Sequence, residues 1–128
     1  MQYEFFGGLD FGTSGARISI INSKKELSFT NSVADTYSLK KPDSWINSCE
    51  KLLKSLPHNI KNNLYHLAIS GTSGTLIACN LGGEPLGEAI PYNQACTGYD
   101  ILIKSITPTE KHLKTPYSSL AKAIKLIE

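Results

Sequence analysis

The sequence lacks any run of about 18 apolar residues, so no membrane-spanning helix is expected. Its first residues, Met1-Gln2-Tyr3-Glu4-Phe5-Phe6, have neither a basic start nor a long apolar core, which is not the pattern of a secretory leader. Cysteine is sparse. Cys49, Cys79 and Cys96 are odd in number and scattered, which argues against a disulfide framework and predicts reduced thiols in a cytoplasmic protein. Neither these cysteines nor His58, His66 and His112 show zinc-ligand spacing. There is no large excess of either charge: 13 Lys and Arg against 11 Asp and Glu leave +2, too little to select nucleic acid or an anionic membrane as a partner. Gly-x-Ser-x-Gly is also missing, so a hydrolase nucleophile elbow has no support. What remains is 128 residues, 41% hydrophobic, enough for one modest domain with a real core.

The chain is organised around Gly8-Leu9-Asp10-Phe11-Gly12-Thr13-Ser14-Gly15-Ala16-Arg17. An apolar run from Tyr3 to Leu9 leads in, and Ile18 to Ile21 leads out. Two β-rich runs joined by Gly-Thr-Ser-Gly predict a hairpin, with Asp10 at the end of its first strand. Glycines permit positive φ, so successive N–H groups can converge as an anion nest, with the Thr13 and Ser14 hydroxyls as further donors. A carboxylate beside such a nest makes sense with a divalent cation between them. The plainer reading is a tight hairpin whose glycines serve geometry and whose Asp10 caps the turn.

Glu26 to Val33 alternates as a half-buried strand does, which extends the hairpin to a three-stranded antiparallel meander. Asp35 to Lys41 reads as loop. Pro42-Asp43-Ser44-Trp45 opens a helix that Pro57 closes, with Trp45, Ile46, Cys49, Leu52, Leu53 and Leu56 at core-facing spacing. His58 to Asn63 reads as a polar connection. Leu64 to Ile69 reads as a buried strand parallel to the first, reached by a right-handed crossover. Gly71-Thr72-Ser73-Gly74 then repeats the earlier tetrapeptide, with Ile69 where Asp10 stood, and Thr75 to Cys79 reads as another strand. After the turn at Asn80 to Pro85 come a short return strand, Leu86 to Ile90, and a polar loop, Pro91 to Ala95. Tyr99 to Ile106 is a short helix, broken at Thr107-Pro108-Thr109. A last helix is capped by Ser118 or Ser119, with Leu120, Ala123, Ile124 and Ile127 on the packed face and Lys122, Lys125 and Glu128 on the solvated one. An apolar stripe reaching the final residue without a C-cap glycine leads us to expect that more chain follows.

Leu-Asp-Phe-Gly-Thr-Ser-Gly-Ala-Arg followed by an apolar strand resembles the first phosphate motif of the FGGY carbohydrate kinases. Three further stretches match that family in order and spacing: Ile69-Ser70-Gly71-Thr72-Ser73-Gly74 with the strand and Gly83 turn after it, Pro91-Tyr92-Asn93-Gln94-Ala95-Cys96, and Ser118-Ser119-Leu120-Ala121-Lys122. The resemblance implies an α/β fold of the RNase H-like type shared by actin- and hexokinase-like ATPases, a mixed sheet with flanking helices. Residues 1–128 would be the N-terminal portion of the first kinase domain, incomplete, with the rest of that domain and the second domain absent. The general-base Asp and the adenosine pocket would then lie beyond Glu128. No residue of this chain is assigned as catalytic base; Asp35, Asp43 and Asp100 sit in no matching motif.

The implied activity is ATP-dependent phosphorylation of a sugar hydroxyl, a phosphotransferase reaction with ATP and Mg²⁺ as cofactors. By the resemblance, Asp10 holds Mg²⁺ through water and approaches the accepting hydroxyl. Gly12, Thr13, Ser14 and Gly15 cradle the transferred phosphate, and Arg17 is either a nucleotide-phosphate ligand or a surface strand residue. Ser73 and Gly74 match the sugar-contacting loop, with Tyr92, Asn93 and Gln94 in the same cleft. Xylulokinases usually carry Gln-Met-His-Gly at Thr72 to Thr75, and Asp and Arg after the aromatic loop. This version looks like the ribulokinase-like branch often grouped with xylulokinases, so a ketopentose, D-ribulose or D-xylulose, is the expected substrate. The competing class is a non-catalytic, truncated RNase H-like module that binds phosphate or a partner. A chaperone-type ATPase piece is a third, and the Ser70 to Thr75 and Tyr92 loops argue against it.

Overall fold

The structure, a computed structural model, describes residues 4–128. Tyr3, the expected start of the first strand, lies outside the described residues. The chain divides into two compact units, one ending at Thr72 and the other running from Ser73 to Glu128.

The first unit is a mixed sheet with helices on one face. Strands β1 (Phe5–Phe11), β2 (Ala16–Asn22) and β3 (Leu27–Val33) form the expected meander, and β4 (Leu64–Ser70) pairs parallel to β1, giving the order β3-β2-β1-β4. The alternation in β2 is regular: Ile18 and Ile20 are fully buried, while Arg17, Ser19 and Ile21 face outward. With Phe5, Leu9 and Ala16 they pack against Leu52, Leu56 and Ile60. Each such side chain contributes about 1.5–3 kcal/mol by leaving water.

Helix α1 (Pro42–Lys54) begins at its proline as expected, with Asp43 in the first turn and Lys51 and Lys54 in the last, complementing the dipole. It ends before Pro57, at a cap on Ser55. Its buried face is shifted from the expected stripe. Ile46 is exposed and Ser48 is fully buried, because the helix meets the sheet along the Ser48 and Leu52 line. Trp45 stays half-buried and donates its indole N–H to the Ser38 carbonyl at 2.8 Å. The expected polar connection at His58 to Asn63 is instead a short helix, α2 (His58–Asn62), which exists because Ile60 enters the core. Strand β4 is parallel as expected but not buried. It is an edge strand of the sheet, so only Leu64 and Leu67 pack on the core, and Tyr65 and Ile69 are exposed.

The second unit holds no regular strand. The two expected strands reduce to isolated antiparallel bridges, Leu76 with Ile90 and Cys79 with Pro85. Two mutual amide–carbonyl bonds between Leu76 and Ile90, at 3.0 and 2.8 Å, anchor the pair. The Asn80 side-chain oxygen organises the turn by accepting from Gly82 and Glu84 N–H. Helices α3 (Asp100–Ile106) and α4 (Ser119–Ile127) flank a 3₁₀ turn at Lys111–Lys114. Ser118 is the α4 cap, its hydroxyl accepting from Ala121 N–H at 3.1 Å. The packed face of α4 departs from expectation. Ala121 and Lys122 are fully buried, with Leu120, Ile124 and Leu126 packing beside the Ile90–Cys96–Ile103 cluster, and Ile127 is exposed. Lys122 was assigned to solvent on helical periodicity; it is inside because carbonyl oxygens satisfy its ammonium. No helix among the described residues is long and apolar enough to cross a membrane.

Ser48 has no partner for its Oγ among the described residues. Replacing a buried unsatisfied hydroxyl by a methyl group within a helix removes a desolvation cost and improves propensity, so Ser48→Ala is expected to add about 1 kcal/mol. Urea unfolding checks this, and a lower midpoint in the variant would show that the hydroxyl is in fact satisfied.

Candidate functional site

Sheet register places three side-chain positions in a row. Asp10 on β1 is opposite Arg17 on β2 and Ser70 on β4. The row below, Ser19, Gly8 and Ala68, is built of small residues. Together with Ile69 they line a shallow depression of about 320 Å³ on the sheet face away from α1. The Arg17 Nε lies 3.8 Å from an Asp10 carboxylate oxygen, and both side chains are about half exposed. An exposed pair at that separation is worth at most about 1 kcal/mol. The guanidinium is therefore only loosely held and stays available to a bound anion.

The turn that follows is closed by the Gly12 N–H donating to the Gly15 carbonyl at 2.9 Å. Neither glycine has positive φ, so the expected left-handed nest is absent. Gly15 is required for a different reason: a Cβ there would sit 2.7 Å from the Val33 carbonyl oxygen, where β3 ends against the turn. The bond at Gly12 also withdraws its N–H from ligand binding. The amides of Thr13, Ser14 and Gly15 are paired with no backbone carbonyl among the described residues, and Thr13 and Ser14 are exposed. The hairpin thus brings Asp10, Gly12, Thr13, Ser14, Gly15 and Arg17 to one end of the sheet. A second groove, of about 530 Å³, runs from Ser14, Gly15 and Arg17 along β3 from Thr30 to Ala34.

Tyr37 was not singled out from the sequence. Its side chain packs against the core, and its hydroxyl is buried with no hydrogen-bond partner among the described residues. Burial pushes the phenol above its usual pKa, and the negative charge of Asp10 adds to the shift. Ser70 was also missed. The tetrapeptide echo aligns Ile69 with Asp10, whereas the β1–β4 register sets Ser70 there and Ile69 beside Leu9.

The remaining candidates lie in the second unit. Gly74 has φ +77, which a side chain rarely adopts, and its Cα faces Tyr92 Cβ and Ser119 Oγ, 3.7 and 3.9 Å from where a Cβ would be. The Tyr92 N–H donates to Thr75 Oγ1 at 3.2 Å, and Gln94 N–H donates to the Pro91 carbonyl at 3.0 Å. Ser73, Tyr92 and Asn93 are exposed, and Gln94 is half-buried.

This architecture has counterparts among solved structures. The chain matches a ligand-bound xylulose kinase from Lactobacillus acidophilus with TM-score 0.71 and 16% identity, over 98% of this chain and 28% of that one. It matches a glycerol kinase from Plasmodium falciparum, in a structure with ADP, with TM-score 0.69 and 16% identity, over 98% of this chain and 29% of that one. A gluconate kinase from Lactobacillus acidophilus gives TM-score 0.60 and 17% identity, over 86% of this chain and 23% of that one. The chain has the sugar-kinase fold. It spans less than a third of the length of each of these proteins. No family model matches the sequence.

Tyr37 is expected to make the stability of the first unit depend on alkaline pH. The folded phenol binds its proton more tightly than the unfolded one, so its contribution is intact below the unfolded pKa of about 10 and is lost as pH rises through the higher folded value. Tyr37→Phe removes that titration and the orphaned hydroxyl. The variant is expected to lose less thermal stability than the wild type between pH 8 and pH 11. Equal losses would place the alkaline transition elsewhere.

Proposed function

We propose that this chain is the first part of an FGGY-type carbohydrate kinase, which transfers phosphate from ATP to a hydroxyl of a ketopentose such as D-ribulose or D-xylulose. The observation that carries this reading is the Asp10 row. A carboxylate at the end of the central strand, beside a loosely held guanidinium, runs directly into a turn with three amides that no backbone carbonyl pairs among the described residues. Phosphoryl transfer needs positioning and charge neutralisation more than covalent participation by the protein. The Thr13, Ser14 and Gly15 amides and the two hydroxyls would hold the transferred phosphate, with Gly12 shaping the turn and Arg17 reaching its oxygens. Asp10 would orient the accepting hydroxyl and hold Mg²⁺ through water.

One carboxylate is too little for an all-protein metal cage, and no three acidic, His or Cys side chains gather among the described residues. That donor set suits Mg²⁺, which keeps several waters and takes substrate phosphates as ligands. When bound with ATP it would neutralise charge on the phosphates. Ser73 and Gly74, with Tyr92, Asn93 and Gln94, are assigned to the acceptor. The general base and the adenosine pocket are assigned to protein outside residues 1–128, and the working compartment to the cytoplasm. Neither nucleic acid nor membrane enters the reaction.

A coupled ADP-release assay on the gene product carrying these 128 residues tests the reading, with MgATP and a panel of D-ribulose, D-xylulose, glycerol and gluconate. The highest kcat/KM is expected with a ketopentose, and a preference for glycerol would reject that acceptor. Asp10→Asn is expected to lower turnover by about tenfold or more, since preorganised charge is the main catalytic contribution. Wild-type turnover in that variant would leave the hairpin a structural element, and the non-catalytic module would become the better description. Residues 1–128 alone are expected to give no sugar-dependent turnover, because a missing general base alone costs about 10²–10⁴-fold.

A further inference from the structure

Lys122 is fully buried, and with Ser48 it is one of two buried polar or charged residues among those described. Lysine is almost never fully buried unless its ammonium is paired. Here no carboxylate lies within ion-pair distance among the described residues. The ammonium instead donates to two backbone carbonyls, Tyr117 at 2.6 Å and Tyr92 at 3.0 Å. Desolvating a lysine to reach two neutral carbonyls is a poor way to gain stability, because an apolar side chain of similar length would fill the volume without that cost. What the ammonium does gain is a fixed geometry between two segments.

Those segments flank the loop assigned to the acceptor. Tyr117 immediately precedes Ser118, the cap of α4. Tyr92 opens the loop, whose ends are tied separately: Ile90 bridges to Leu76, and Cys96 N–H donates to the Pro116 carbonyl at 2.8 Å. Between those ties, the Lys122 bond fixes the Tyr92 peptide from below while Tyr92 N–H engages Thr75 Oγ1. Gly74 lies beside the same group, since a Cβ there would come within 3.7 Å of Tyr92 Cβ and 3.9 Å of Ser119 Oγ. One ammonium thereby links α4, the segment before it and the Tyr92 loop.

We propose that Lys122 is a positioning residue for the acceptor loop: its buried ammonium holds the Tyr92 carbonyl and so presents Tyr92, Asn93 and Gln94, against Gly74, in the orientation that receives the sugar. It does not touch the sugar itself. This rests on the reading of that loop as the acceptor side, and the experiment separates the two.

Amide hydrogen exchange on the 128-residue chain, resolved by NMR, is measured for wild type and Lys122→Met. Exchange at Tyr92 and Gln94 is expected to rise about tenfold or more in the variant, while Ile103 and Thr107 in and after α3 change by less than about threefold, the pattern of a local opening. Unchanged loop exchange overturns the proposal. A uniform rise across the second unit overturns it as well, since Lys122 would then be a general support. Should the variant not fold, the wild type still decides. In the gene product carrying these 128 residues, the lysine ammonium NMR signal for Lys122 is followed while D-ribulose or D-xylulose is added. Joint shifts of that signal and of the Tyr92 to Gln94 amides support the proposal. Loop shifts without movement of the ammonium signal overturn it. If neither sugar moves the loop, the acceptor reading fails and the positioning role falls with it, whatever the exchange data say of the clamp.

Discussion

The double pairing of β1 is the constraint on which the first unit depends. It takes β2 antiparallel on one side and β4 parallel on the other, and this fixes which residues share a row across the sheet. Side-chain alternation then does the rest. Leu9 must point into the core with Ile18 and Ile20, so its neighbour Asp10 must point out, between Arg17 and Ser70. A slip of one residue would bury the carboxylate and expose Leu9. The apolar energy that specifies register is therefore also what presents the charged row, and the turn inherits its place from the same pairing.

Buried polar groups mark where that economy is relaxed. Ser48 and Tyr37, on helix α1 and in the loop after β3, each carry a buried hydroxyl without a partner among the described residues. Both pack in or against the apolar core that backs the sheet. Lys122 is buried at least as deeply, yet two carbonyls accept from it. Two hydroxyls left unsatisfied cost little beside an ammonium left alone, and the chain resolves only the costlier case. That difference in treatment separates incidental burial from a side chain that organises its surroundings.

Most of the first unit was legible in the sequence because it rests on two strong signals, period-two alternation and the Gly-Thr-Ser-Gly turn. The meander and the grouping of Asp10 with Thr13, Ser14 and Arg17 follow from them, while Pro42-Asp43 marks the start of α1 and the apolar run from Leu64 to Ile69 after a helix marks the parallel β4. The reason for Gly15 was not legible, since it depends on the Val33 carbonyl eighteen positions away in sequence. Nor was Ser70, whose place depends on a register that the tetrapeptide echo misaligns by one. In the second unit the apolar stretches are too short to define sheet, and hydrogen bonds to the Asn80 and Ser118 side-chain oxygens and from the Lys122 ammonium take over. Helical periodicity put Lys122 on the solvated face because charge was read as exposure. A lysine inside announces itself only through the carbonyls that meet it.

In the proposed kinase, the two kinds of group are held differently. Phosphate-handling groups on a sheet end are placed by register and core packing, which vary little while the fold persists. Acceptor-handling groups on loops are placed by a handful of side-chain hydrogen bonds, which change readily. Solved proteins that share this fold are described as xylulose, glycerol and gluconate kinases, so one scaffold hosts several acceptors. The Asp10 row accordingly speaks to the class of chemistry. On the proposed reading, the identity of the acceptor is written instead in how Ser73, Gly74 and the Tyr92 loop are held, and the Tyr92 carbonyl is held by the ammonium of a buried lysine.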